Sequence, residues 1–258
     1  MNPQEITVIT PANDGESRTI VEICQKAGVD LRISEQPWGA RLDREPQKHL
    51  ENLKETVVVV EMPSITAEEK LREKHRLIIV DHHAYPGLHL DRTRPLSSLE
   101  QIAQILDYKL NRREMGIAIN DRAYIFGLLD AGYTIEEILR IRQFDLQSQG
   151  ISAEDIEEIK SAVLNAPIKA EIKILRTNVA NAGFAQDFLV LENPNEVQDL
   201  LVLTGDPVRK AQFYGDPKKI ERLSDLAEWM GGSGRSRFWG TNHPDVSEIL
   251  RRLGIPEK

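Results

Sequence analysis

Thr56-Val57-Val58-Val59-Val60-Glu61 is the stretch on which the fold turns. A run of β-branched residues with no polar alternation suits a strand buried on both faces, and a sheet covered on both sides by helices provides that environment. Leu77-Ile78-Ile79-Val80 repeats the pattern and ends in Asp81-His82-His83. Outward from these, Ile6–Thr10 reads as a first strand, Gly15–Ala27 as a helix and residues 29–33 as a second strand. Residues 44–55 read as a charged helix. Residues 66–74 read as a short one, with Thr66 and Glu69 in capping spacing. Residues 97–110 set Leu99, Ile102, Ile105 and Leu106 on one helical face, and residues 115–119 read as a further short strand. Strands alternating with helices predict an α/β domain: a mostly parallel sheet flanked by helices.

From residue 123 to 164 the pattern is helical. Gly132 ends one helix, Thr134 with Glu137 opens the next, Gly150 closes it, and Ser152 with Asp155 opens a third. Asp145-Leu146-Gln147-Ser148-Gln149-Gly150 is unusually polar for a helix end, and capping is the one role its residues suggest. Beyond Asn165-Ala166-Pro167, residues 172–175, 188–191, 200–203 and 211–214 read as short strands. A helix over 217–230 and a glycine-rich stretch follow. The reading is therefore residues 1–166 as an α/β domain with a helical tail, then residues 167–258 as a smaller α+β domain.

Composition narrows the function. The 258 residues are 40% apolar, enough for a sizeable core. Forty-one acidic against 33 basic side chains leave a net charge of −8, which argues against coating long duplex nucleic acid by counterion release. A local basic patch can still hold a small phosphorylated ligand. The single cysteine, Cys24, excludes an internal disulfide framework and a cysteine-rich zinc site. No apolar stretch approaches the roughly 18 residues of a membrane span, and the N-terminus lacks the regions of a signal peptide. The expected setting is cytoplasmic, without a membrane partner, and a homodimer is compatible with the sequence.

Ligands of open parallel sheets bind beyond the carboxyl ends of the strands. Asp14 and Glu16 follow the first strand, Glu61 the valine run, Asp81, His82 and His83 the next, and Asp121 the segment 115–119. Taken singly, Asp14 or Asp121 reads as a helix cap and Glu61 as a loop residue. Two imidazoles and a carboxylate closing an apolar strand are costly unless they bind something. Mixed carboxylate and imidazole donors suit manganese, iron or zinc better than calcium. Carboxylates can hold two ions about 3.5–4 Å apart for in-line attack on phosphorus, so metal-dependent phosphoester hydrolysis is the best match. Arg18, in the first turn after the opening loop, is placed either to meet an anion or to pair with a glutamate. Gly231-Gly232-Ser233-Gly234 with Arg235 and Arg237 reads as an anion-binding loop or as a flexible turn.

With these residues in this order, the chain resembles the DHH phosphoesterase (RecJ-like) superfamily. The tripeptide Asp81-His82-His83 gives that family its name, Thr10 to Glu16 lie where its first motif falls, and Glu61 and Asp121 match its second and fourth aspartates. Ser97-Ser98 is similar to its serine pair. Residues 232–240 are similar to the phosphate-binding loop of its associated small substrate-binding domain. The resemblance implies Asp14, Glu16, Glu61, His82 and Asp121 as metal ligands, with Glu61 bridging. It implies Asp81 as a structural or supporting partner, and His83 either facing substrate or supporting the ligands from behind. It implies Arg235, Arg237, Gly232, Gly234 and Arg18 at the substrate, and one or two Mn2+ ions, or Mg2+, as cofactor. The chain departs from the pattern at four places: Thr10 and Arg235 replace histidines, and Glu16 and Glu61 replace aspartates.

The reading drawn is a metal-dependent phosphodiesterase or phosphatase acting on a short oligonucleotide or cyclic dinucleotide. Arg235 and Arg237 would hold that substrate across the cleft between domains. The alternative is a catalytically degenerate member that binds a phosphorylated or nucleotide ligand as sensor or scaffold. A nuclease for single strands, which needs a basic groove, is the third.

Overall fold

The structure is a computed structural model that describes residues 2–256 apart from Asn195, Val197 and Ser233. The chain forms two compact units, Met1–Gly150 and Ile151–Lys258.

The first unit runs β1 (Ile6–Thr10), α1 (Gly15–Ala27), β2 (Asp30–Ile33), β3 (Thr56–Val60), α2 (Ile65–Arg72), β4 (Arg76–Val80), β5 (Ala84–Tyr85), β6 (Leu90–Asp91), α3 (Ser98–Ile105), α4 (Arg112–Asp130) and α5 (Ile135–Ser148). β2, β1, β3 and β4 form a parallel sheet in that order, with Val58 opposite Val8 on one side and Ile78 on the other. All five residues of β3 are buried, as the valine run requires. Because successive side chains alternate, Ile9, Val57 and Val59 meet Leu42, Met62 and Leu71 on one face. α1 packs against β1, α3, α4 and α5. β4 is the sheet edge, so Leu77 to Ile79 are half-buried and not enclosed on both faces as their sequence suggests.

Three readings of local structure in this unit are corrected. Residues 44–55 hold no α-helix; the 3-10 turns Leu42–Arg44 and Gln47–His49 stand there instead, and Leu42, Leu50 and Leu53 join the apolar cluster on the sheet. The cap of α2 is Ser64, whose backbone N–H donates to Glu68, and not Thr66. Residues 115–119 lie inside α4: the Asn111 side chain and Glu114 form a reciprocal capping box that starts a helix just ahead of them. α4 is interrupted once, at Tyr124, where φ is 56°.

The second unit runs α6 (Ala153–Asn165), β7 (Ile168–Lys169), β8 (Ile172–Thr177), α7 (Ala185–Glu192), β9 (Asp199–Thr204), β10 (Lys210–Tyr214), α8 (Pro217–Arg222), β11 (Trp229–Gly231), β12 (Phe238–Thr241) and α9 (Val246–Arg252). The divide lies ahead of α6, which packs on β8 and α7. Six strands in the order β11-β12-β10-β9-β8-β7 make a mixed sheet in which β8 and β9 are parallel. One face buries Phe213, Trp239, Leu201 and Leu203 against Ile220 and Ile249. Residues 188–191 belong to α7, not to a strand, and the helix expected over 217–230 ends at Arg222, ahead of β11. The chain is an α/β protein with a second, smaller unit. No helix among the described residues is long and apolar enough to cross a membrane.

Candidate metal centre

Because β1, β3 and β4 are parallel, their carboxyl ends open on one edge of the sheet. Glu61 follows β3 with φ at 49°, a left-handed conformation that a non-glycine residue adopts at a cost. Its backbone N–H donates to the Val80 carbonyl, so the strained turn is pinned to the neighbouring strand. His82 and His83 follow β4. Glu16 enters from the first turn of α1, and Asp121 from α4, a helix and not the strand end expected.

Glu16, Glu61, His82 and Asp121 each bring one ligating atom to a common point, all within 4.8 Å of one another. From His82 Nε2 the distances are 2.7 Å to Asp121 Oδ2, 3.3 Å to Glu61 Oε1 and 3.9 Å to Glu16 Oε2. His82 Nε2, Asp121 Oδ2 and Glu16 Oε2 are nonetheless buried without a hydrogen-bond partner, so the 2.7 Å approach lacks the alignment of a hydrogen bond. Orphaned buried polar atoms are rare, and three of them converging need a shared partner. Three carboxylates and an imidazole, spanning close to what two opposite bonds of about 2.1 Å each occupy, fit a divalent cation. The oxygen-rich, mixed donor set excludes a soft-metal preference.

The charges register the crowding. Burial, and then Asp121 and Glu61, push the Glu16 carboxyl well above the ordinary range. Burial depresses His82, but the facing Asp121 and Glu61 carboxylates more than offset this and lift it to about 10. Both shifts are what a ligand set does when protons stand in for a cation.

The surrounding hydrogen bonds aim these ligands. Ser98 Oγ donates to Glu61 Oε1 at 2.7 Å, and the Leu99 N–H donates to Glu16 Oε1 at 2.9 Å. Asp81 is not among the four converging residues. It accepts from the His83 N–H, the Tyr85 hydroxyl and Arg92, while its carbonyl accepts from Gln101. Burial raises its carboxyl, yet these His83 and Arg92 contacts hold it below the usual range. His83 is about half exposed, with Nδ1 3.3 Å from Asp81 and 3.6 Å from Glu61.

Other expected site residues stand apart from the four. Asp14 caps α1, accepting from the Ser17 N–H and hydroxyl. Burial and then the charge of Asp121 raise its carboxyl to about 6, which makes it a neighbour of the cluster. Thr10 is buried and its hydroxyl donates to the Pro11 carbonyl. Arg18 is exposed on α1. Gly232, Gly234, Arg235 and Arg237 belong to the second unit; Ser233 between them lies outside the described residues. Gly232 and Gly234 take φ of 72° and 51°, and a methyl on Gly232 would sit 2.0 Å from the Ser236 carbonyl oxygen, so glycine is obligatory there. Arg235 donates to the Pro194 carbonyl. The sequence reading missed the Leu99 N–H, Tyr85, Arg92 and Gln101. Of these, a helix start beside Ser97-Ser98 is the one signal the sequence offered, because the rest depend on chain segments meeting in space.

No protein-family model matches the chain, and no curated protein matches it. Among solved structures, RecJ from Thermus thermophilus, in complex with Mn2+, aligns at TM-score 0.50 and 15% identity, over 97% of this chain and 51% of RecJ. An exopolyphosphatase-related protein from Bacteroides fragilis aligns at TM-score 0.50 and 14% identity, over 98% of this chain and 91% of that one. The chain spans about half the length of RecJ and has the fold of both proteins.

Proposed function

We propose that this chain, with its RecJ-like fold, is a DHH-type phosphoesterase that uses a divalent cation, Mn2+ first and Mg2+ second, to hydrolyse a small phosphoester. The observation that carries the reading is the convergence of Glu16, His82 and Asp121, each with a buried ligating atom lacking a partner, on Glu61. These four residues would hold the ion. When bound, it supplies Lewis-acid polarisation of a phosphoryl oxygen and a more acidic water. The chain's own residues do the rest. Ser98 and the Leu99 N–H keep Glu61 and Glu16 turned inward. Asp81 orients His83 through Nδ1, which leaves its Nε2 side to meet the substrate's phosphate oxygens. Arg235 and Arg237, in the second unit, are of the residue type that pairs with phosphate. A short oligonucleotide or cyclic dinucleotide is the substrate class proposed.

One ion is favoured over two. The Thr10 hydroxyl is engaged by Pro11, Asp14 Oδ1 is committed to the α1 cap, and the other donor group, Glu61 with His82 and His83, shares two of its three residues with the first, so a second independent donor set is not assembled among the described residues. The same observation favours, as the second reading, a protein that binds a nucleotide without cleaving it. The test is Mn2+-dependent hydrolysis of a cyclic dinucleotide and a short oligonucleotide, with calorimetric titration of each. Turnover that His82→Ala and Asp121→Ala abolish supports the enzyme. Binding without turnover in excess Mn2+ favours the sensor. Undiminished turnover in both variants overturns the cation site.

A further inference from the structure

The polar end of α5 has a second partner besides its own cap. Asp145 Oδ1 accepts from the Gly15 N–H at 3.0 Å, while Oδ2 accepts from Arg142 at 2.6 Å and from Asn120 Nδ2 at 3.4 Å. Gly15 immediately precedes Glu16, and Asn120 immediately precedes Asp121. We propose that Asp145 is a positioning residue of the cation centre, holding the start of α1 and the middle of α4 at the spacing that lets Glu16 and Asp121 reach one ion. This rests on the reading of those four residues as a cation site.

Three observations carry it. The Gly15 N–H belongs to the first turn of α1, where donors have no partner within the helix and the helix dipole favours an anion. Asp145 supplies both acceptor and charge. Second, α5 comes so close that a methyl on Gly15 would lie 3.1 Å from the Asp145 Cα, so this backbone pair has little room to slide. Third, Asp145 and Arg142 are both buried. A buried ion pair contributes little net stability compared with apolar packing, so stability is a poor reason to build one here. Fixing two carboxylates to within about half an ångström is a better reason, because that is the tolerance of a functional constellation. Arg142 extends the link: it also reaches Asn120 Oδ1 and lies over the ring of Tyr124, the residue that interrupts α4 three positions after Asp121.

The experiment measures Mn2+ affinity by titration calorimetry and melting of the cation-free protein, on the full chain carrying Asp145→Asn, Asn120→Ala, both together, or Ile138→Val. Partners behind metal ligands typically cost about 10–100-fold in affinity when removed. Asp145→Asn and Asn120→Ala are expected to fall in that range at a temperature where they remain folded. The double variant should lose little more than the weaker-binding single, because both act through one link. Ile138→Val, a buried change one helical turn before Arg142 on α5 that removes none of the polar groups of this link, should lower the melting temperature and leave affinity within about twofold. Should Asp145→Asn prove unfolded, Asn120→Ala carries the test. Folded variants that bind Mn2+ as tightly as the unaltered chain overturn the positioning role while the cation site stands. An unaltered chain that binds no Mn2+ overturns the site and this role with it.

Discussion

Glu61 combines two features that seldom occur together: a charged side chain over a left-handed backbone, and a carboxylate facing two others. The backbone cost of such a conformation is about 1–3 kcal/mol, and the fold sustains it through the bond from the Glu61 N–H to Val80. The carboxylate itself is aimed by one hydroxyl, Ser98 Oγ. Ser98→Ala therefore removes the aim and leaves the ligand, and Mn2+ affinity should fall about 10–100-fold with little change in the melting temperature of the cation-free protein; unchanged affinity would show that the left-handed turn alone sets Glu61. Cys24 is the opposite kind of residue. It is buried in α1, and burial pushes its thiol up to about 12. Because the thiolate is the reactive form, a thiol reagent at about pH 8 should label the folded protein far more slowly than the denatured one. Rapid labelling of folded protein would mean that α1 is not packed on the sheet.

Among the elements, the first turn of α3 has the widest reach. Its cap, Ser97, pairs with Glu100, and the next two positions give Ser98 to Glu61 and the Leu99 N–H to Glu16. A free helix N-terminus is spent on orienting two acids of the site. The sequence made the serine pair visible but not its targets, since Glu61 and Glu16 lie 37 and 83 residues away. β3 and the His82 tripeptide were legible because an all-apolar run and a polar break are local facts. Asp121 was legible as a residue and misplaced as an element: Met115 to Ile119 is too short an apolar run to tell strand from buried helix, and Asn111 with Glu114 was the signal that arbitrates. α2 offers a direct check on such signals. The structure caps it with Ser64 rather than Thr66, so Ser64→Ala should cost about 0.5–2 kcal/mol in urea unfolding, and Thr66→Ala should be near neutral. Equal effects would return the cap to Thr66.

At the scale of the whole chain, the four converging residues all belong to one unit, Met1–Gly150, and a ligand that binds only the folded form stabilises what it binds. The net charge of −8 suits a small, cation-neutralised substrate, and the same excess of acid would attract divalent ions loosely all over the molecule. A specific centre and loose attraction make different demands on hydrogen exchange. Mn2+ at about a hundred times its dissociation constant is worth about 2.7 kcal/mol, which slows the exchange of amides opening with the site about a hundredfold. Those amides should lie in β3, β4, α1, α3 and α4, the elements that carry or aim Glu16, Glu61, His82 and Asp121. Strands β8, β9, β10 and β12 of the second unit, whose core is Phe213, Trp239 and their neighbours, should exchange as before. Protection spread evenly over both units would indicate diffuse ion attraction, and protection confined to the second would place the cation away from His82. His82→Ala is the internal control: with the imidazole gone, the pattern in the first unit should disappear at the same Mn2+ concentration.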